Sequence, residues 1–251
     1  MLRASWLAPF ALLFLLAAAC GAPATDSAPE SDAAESETNA PTATEGEEST
    51  ADGGEELSPG EQANADFEDQ LSGADLLAAL NQGGHVIYFR HAQTVKDYAD
   101  QADPNMSLDD CESQRKLSEA GIQDAKDIGA AFTAQEIPVG QVISSQYCRA
   151  WQTAELAFGR YEQDPKLNFL PFEDYTEEQW AQMKANVTPL MTAVPEAGTN
   201  TVLVGHDDLF ESATGIYPEP QGIGYVLTPD GEGGFSLVAN VLPAEWAQLG
   251  G

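Results

Sequence analysis

Between His85 and Val241, short apolar runs alternate with segments whose apolar residues recur at the helical period. That alternation limits the possible folds more than any other feature of the chain. His85 to Phe89, Val142-Ile143, Thr201 to Val204, Ile223 to Leu227 and Phe235 to Val241 read as strands. The helices between them carry their own start and stop signals. Ser72 and Asp75 resemble a capping box ahead of Leu76, Leu77 and Leu80, and Gly83-Gly84 stop that helix. Ser118 opens a helix with Ile122, Ala125, Ile128, Gly129 and Phe132 on one face, and Pro138 ends it. Residues 148–158 form the next helix. Thr176 and Gln179 cap a further one bearing Trp180, Met183, Val187 and Met191, which Pro189 should kink or shorten. The late strands are separated by the turn signal Pro229-Asp230-Gly231, so they should pair antiparallel. The expected fold is α/β: a three-layer sandwich, with a mainly parallel central sheet, an antiparallel edge and helices on both faces.

Upstream of this region the chain changes character twice. Residues 1–20 combine Arg3, an apolar run from Leu7 to Ala19 and small residues before Cys20, the pattern of an export signal. The run is short for a membrane span, which needs about 20 apolar residues. Cys20 at the small-residue site resembles a bacterial lipoprotein signal, in which the thiol is lipidated. Ala17 stands where that pattern favours Leu, so ordinary cleavage near Ala19 is the alternative. Residues 21–65 hold 12 acidic side chains, no Lys or Arg, and Leu57 as their one large apolar residue. Such a segment lacks the apolar surface needed to offset its ordering entropy, which predicts a disordered linker. The expected organisation is a signal at 1–20, a tether at 21–65 and a folded domain at 66–251. The expected location is exported, on the periplasmic or extracellular face, with membrane contact through the N-terminal lipid alone.

The folded region carries 29 acidic and nine basic residues, a net charge of −20. This excludes a phosphate-backbone partner such as nucleic acid, which needs clustered Lys and Arg. An anionic substrate therefore requires a local positive pocket. In open α/β sheets ligands bind beyond the carboxyl ends of strands. Arg90-His91 and His206 follow strands, and Arg149 opens a helix just after Val142-Ile143-Ser144-Ser145. A chain so poor in cations has little reason to place guanidinium groups there unless they meet an anion. Arg149 also stands against the helix macrodipole, which makes its position the least expected on structural grounds. His85, at the opposite end of its strand, reads as structural.

Four segments carry a family resemblance. Phe89-Arg90-His91-Ala92-Gln93-Thr94 resembles the signature loop of the histidine phosphatase superfamily, the phosphoglycerate mutase-like proteins. Ser144-Ser145-Gln146-Tyr147-Cys148-Arg149 resembles its second, arginine-bearing motif; Leu117-Ser118-Glu119-Ala120-Gly121 resembles the helix start between them; Val204-Gly205-His206 resembles the last motif. Ala92 replaces the usual glycine. The resemblance implies a phosphomonoester hydrolase acting on a small phosphate ester without cofactor or metal. His91 would attack phosphorus and form a phosphohistidine. Arg90, Thr94, Arg149 and His206 would surround the phosphoryl oxygens. One branch of the family places its acid downstream of the second motif, where Glu173 lies; the other places an Asp directly after the last His, as Asp207. Proximity to the phosphoryl group favours Asp207.

The alternatives are a phosphate- or sugar-phosphate-binding protein without turnover, a phosphomutase, and a metal hydrolase built on His91, His206, Asp207 and Asp208. An adjacent pair of guanidinium groups opposes the last. Of the three Cys, lipidation of Cys20 leaves Cys111 and Cys148. An oxidising exported compartment predicts a disulfide between them, with two reduced thiols as the alternative. Arg115 and Lys116 read as a solvated cationic pair, and the loops at 93–116 and 208–222 hold few other cations.

Overall fold

A computed structural model of the protein describes residues 56–96 and 98–251. The signal at 1–20, the lipidation site Cys20 and most of the expected tether lie outside the described residues.

Strand β1 (Val86–Arg90) occupies an inner position of a six-stranded sheet. On one side it pairs in parallel with β4 (Asn200–Gly205); β4 pairs in parallel with β2 (Val139–Ser144), and β2 with the short β3 (Glu162–Gln163). On the other side, β5 (Gly224–Pro229) runs antiparallel to β1 and to β6 (Phe235–Val241). The mainly parallel sheet with an antiparallel edge is the expected α/β architecture.

Alternate residues of β1 face opposite layers, as the two-residue period of a strand requires. Ile87 and Phe89, with Val202 and Val204 of β4, pack against Leu76 and Leu80 of α2 (Gly73–Gln82), Ile128 and Phe132 of α3 (Glu119–Ala134), and Ala150 and Ala154 of α4 (Cys148–Phe158). Val86 and Tyr88, with Leu203, pack against Met183, Val187 and Met191 of α5 (Glu177–Met191) and Leu209 and Phe210 of α6 (Asp207–Thr214). Each fully buried large apolar side chain contributes roughly 1.5–3 kcal/mol. Both faces of the sheet are therefore covered, which explains why the central strands read as continuous apolar runs.

Several local expectations need correction. The expected boundary at residue 65 falls too late: Pro59–Ala65 form α1. Its Ser58–Glu61 capping box is complete, the Tyr217 amide donates to Gly60 O at 3.0 Å, and Asn64 bonds both Glu219 O and the Tyr225 hydroxyl. Composition registers apolar area alone, whereas this turn of helix is held by caps and polar contacts. Ser72 does stand at the N-cap of α2, yet its side chain makes no capping hydrogen bond. The Thr176–Gln179 box forms as expected. Helix α5 passes through Pro189 and stops two residues later, so the proline shortens it. Helix α6 and strand β3 were not legible: α6 runs to Thr214, through the first part of the segment read as a loop at 208–222, and β3 is two residues of exposed, polar chain.

Candidate functional site

Strands β2, β4 and β1 are neighbours and parallel, so their carboxyl ends meet at one edge. This brings together three segments far apart in sequence: the β1 exit with Arg90 and His91, the β4 exit with His206, and the turn from β2 into α4 with Ser145 and Arg149. Backbone bonds stitch the exits to each other, from His91 N to Gly205 O at 3.0 Å and from Ser145 N to Val204 O at 2.9 Å. Tyr88 fixes the β4 exit. Its hydroxyl donates to His206 O at 2.7 Å and accepts from His206 N at 2.9 Å. The position before that histidine must be glycine, because a Cβ on Gly205 would stand 2.3 Å from the Tyr88 oxygen. Gly121 has the same kind of role in α3, where a Cβ would lie 2.2 Å from Gln93 O in the His91 loop.

His91 is 1% exposed. Its Nδ1 lies 2.9 Å from Ala92 O, a carbonyl that can only accept, so Nδ1 carries the proton and Nε2 carries the lone pair. Arg149 Nε donates to that Nε2 at 3.1 Å. Burial, then the Arg149 and Arg90 charges, hold the imidazole well below the usual histidine range, so the ring is neutral. The guanidinium groups contribute as their sequence positions suggest, but burial is the larger cause. His206 is lowered for the same reasons, burial first and then Arg149. Its ring meets that of His91 edge-on at 5.4 Å, lies 4.0 Å from the Phe169 ring, and places Nε2 2.8 Å from Ser145 Oγ. The Ser145 hydroxyl bonds Asn168 Oδ1 at 3.0 Å.

Arg149 is fully buried in the first turn of α4. Besides His91, it contacts Asp100 through Nη1 at 2.8 Å and lies over the Tyr147 and Phe169 rings. Arg90 is likewise buried. Its Nη2 meets Asp207 Oδ2 at 2.6 Å, its Nη1 meets Glu219, and its guanidinium covers the Tyr217 ring. Among the described residues, Arg90 Nε, Arg149 Nη2 and His206 Nδ1 are buried with no hydrogen-bond partner. Buried polar atoms are rarely left so, because each unmade bond costs about 1–3 kcal/mol. Two unsatisfied guanidinium N–H groups in one buried cluster fit a tetrahedral oxyanion.

The other expected site residues are distributed as follows. Asp207 is the first residue of α6, at the positive end of that helix. It accepts from the Tyr217 hydroxyl at 3.0 Å in addition to pairing with Arg90. Glu173 lies exposed, and no hydrogen bond or ion pair among the described residues joins it to the cluster. Thr94 is buried beside the cluster, but its hydroxyl donates to Lys96 O at 2.6 Å and accepts from Arg115 Nη2 at 3.0 Å. Arg115 is not solvated, as its sequence position had suggested; it is buried and also holds Tyr98 O. Lys116 pairs with Glu112 at 2.6 Å on the surface. A disulfide joins Cys111 to Cys148, with Cα atoms 5.7 Å apart. His85 bonds Thr228 Oγ1 at the far end of β1, the structural position expected for it.

Sequence reasoning missed Asp100, Tyr88, Asn168 and Glu219. Tyr88 carried a weak signal, a phenol inside an apolar strand one step from the motif. Asp208 enters the sequence reading only as a metal-ligand candidate; in the fold, burial and the Asp207 and Glu211 charges push its carboxyl up to about 7.

A buried, neutral histidine beside two buried arginines at the carboxyl edge of a parallel sheet is an arrangement suited to a phosphoryl group. Residues 86–201 match the family model of the histidine phosphatase superfamily (branch 1), the family that the motifs resemble. That stretch contains His91 and Arg149 and ends before His206. Solved structures similar to this chain include the protein histidine phosphatase SixA complexed with tungstate, at 16% identity and TM-score 0.47, covering 64% of this chain and 98% of that one. A Thermus thermophilus protein, TTHB049, is similar at 16% identity and TM-score 0.44, covering 63% and 99%. A phosphoserine phosphatase mutant from Entamoeba histolytica, in complex with phosphoserine, is similar at 13% identity and TM-score 0.43, covering 62% and 95%. No curated protein matches the chain.

Proposed function

We propose that this protein is a phosphomonoester hydrolase that works through a phosphohistidine on His91 Nε2. The observation that carries this reading is the tautomer: Nδ1–H is committed to Ala92 O, which leaves Nε2 unprotonated beside Arg149. The Nε2 lone pair forms the N–P bond as the bond from phosphorus to the ester oxygen breaks. Arg90, Arg149 and His206 hold the phosphoryl oxygens, so the work is mostly positioning and charge stabilisation. The leaving alkoxide takes a proton from Asp207. Water then attacks the phosphohistidine, gives its proton to Asp207 and releases inorganic phosphate. Asp207 is preferred over Glu173 because it lies inside the cluster on Arg90, and reach is the first requirement for proton transfer.

The protein is further proposed to be exported and lipid-anchored through Cys20, with the tether shortened to about residues 21–57. The Cys111–Cys148 bond supports an oxidising compartment. No helix among the described residues is long and apolar enough to cross a membrane.

One set of variants tests the chemistry. His91→Ala should abolish turnover of phenyl phosphate and of nitrophenyl phosphate, together with acid-labile phosphoenzyme trapping. Asp207→Asn should lose on the order of 10²–10⁴-fold with an alkyl phosphate but much less with nitrophenyl phosphate, whose leaving group needs no proton. Turnover retained by His91→Ala would overturn the phosphohistidine. A leaving-group dependence seen in Glu173→Gln and not in Asp207→Asn would move the acid to Glu173.

A further inference from the structure

Asp100 belongs to no motif, yet it sits at the heart of the site. It lies in a short turn, Asp100–Ala102, and is wholly buried. Its Oδ2 accepts from Arg149 Nη1 at 2.8 Å and from the Arg115 amide at 2.8 Å, while Oδ1 is buried with no partner among the described residues. The same arginine donates through Nε to His91 Nε2. The lone pair on that nitrogen is the one that must reach phosphorus, so this arrangement occupies the attacking atom and engages the arginine at once. A carboxylate on a guanidinium presents the charge and the acceptor oxygens that a phosphoryl group presents.

We propose that Asp100 is an internal rival of the phosphoryl group for Arg149. This rests on the reading of the site as a phosphatase site. In the free enzyme Asp100 draws Arg149 over His91. An arriving phosphoryl group takes the Nε and Nη2 donors, weakens the hold of Asp100 and uncovers His91 Nε2. After hydrolysis the carboxylate competes with inorganic phosphate for the same guanidinium and promotes its release.

The loop that carries Asp100 is built to keep it in place. Gln101 donates to Phe172 O at 3.3 Å and to the Tyr175 hydroxyl at 3.4 Å. The Cys148 amide donates to Gln114 Oε1 at 2.8 Å, and Cys111 is bonded to Cys148, next to Arg149 itself. A tethered rival acts at high effective concentration without needing high intrinsic affinity. Asp100 acts on the reaction through Arg149 and is a positioning residue.

The test is calorimetric binding of inorganic phosphate to the full chain, with turnover of phenyl phosphate read separately. Asp100→Asn keeps the shape and one acceptor oxygen but removes the charge. Rivalry requires this variant to bind phosphate about tenfold more tightly than the parent, given how much stronger charge-assisted hydrogen bonds are, and its KM to fall in the same direction. A side chain that merely buttresses Arg149 would give weaker phosphate binding, and that result or an unchanged Kd overturns the proposal. If neither protein binds phosphate, the phosphoryl reading of the site fails along with it. If near-ultraviolet circular dichroism shows that Asp100→Asn does not fold, reduction of Cys111–Cys148 in the parent replaces it. Loosening the loop must then tighten phosphate binding; an equal or weaker Kd overturns the rivalry.

Discussion

Replacing Tyr88 by Phe removes one oxygen atom from the frame that holds His206. The tyrosine is wholly buried, and its hydroxyl makes two short bonds to the His206 backbone, donating to O and accepting from N. The ring would stay in place against Phe210, 5.0 Å away, so the apolar contribution is kept. What is lost is the partner of one buried amide, His206 N; His206 O keeps the Phe210 amide at 3.4 Å. A buried group left without its bond costs about 1–3 kcal/mol, and His206 N has nowhere to turn because Gly205 packs directly on the phenol. We expect Tyr88→Phe to destabilise the domain by about 1–3 kcal/mol. For a domain of this size that corresponds to a fall in Tm of about 2–12 °C. Urea unfolding followed by circular dichroism measures the loss, and the m-value should not change, since the same surface is exposed. Turnover should fall as well, because the β4 exit that presents His206 loses its anchor. A stability loss below about 0.5 kcal/mol, within the range of an ordinary surface substitution, would refute the claim that this hydroxyl bridges β1 to the β4 exit.

Two further outcomes follow from the same geometry. The Cys111–Cys148 bond closes a segment spanning 37 residues, so the double Cys→Ser variant should be about 4 kcal/mol less stable on the chain-entropy estimate; urea midpoints of the oxidised parent and the variant check this. His91 is held neutral in the fold and regains the ordinary histidine pKa of about 6.5 when unfolded, so only the unfolded chain takes up that proton below about pH 6.5. Its contribution to stability is present above that pH and lost as pH falls. Stability–pH curves from urea titrations should therefore be shallower in His91→Ala than in the parent by about 1.4 kcal/mol per pH unit between about pH 6 and pH 5, and parallel curves would contradict a neutral native His91.

The alternation of apolar runs and helical stripes determined the α/β class, and the strand exits marked Arg90, His91, Arg149 and His206 as site residues. These signals are local: a period, a cap or a turn residue is read within a dozen positions, and the physics that sets it acts over the same range. The strand order was not local. That β2, β4 and β1 lie side by side follows from which apolar faces bury best against one another, and only this ordering puts Arg149 Nε 3.1 Å from His91 across 58 positions of sequence. The capped helix α1 escaped notice because polar contacts hold it where apolar area is scarce. The choice between Asp207 and Glu173 gained its geometry only from the fold, which pairs one carboxylate with Arg90 and leaves the other exposed. Asp100 carried no signal at all, since an acidic residue in an acidic loop looks solvated until the chain closes over it. Burial leaves Arg149 short of water, and a guanidinium short of water needs a carboxylate partner; which carboxylate supplies it depends on the path of a loop, and that path exists only in three dimensions.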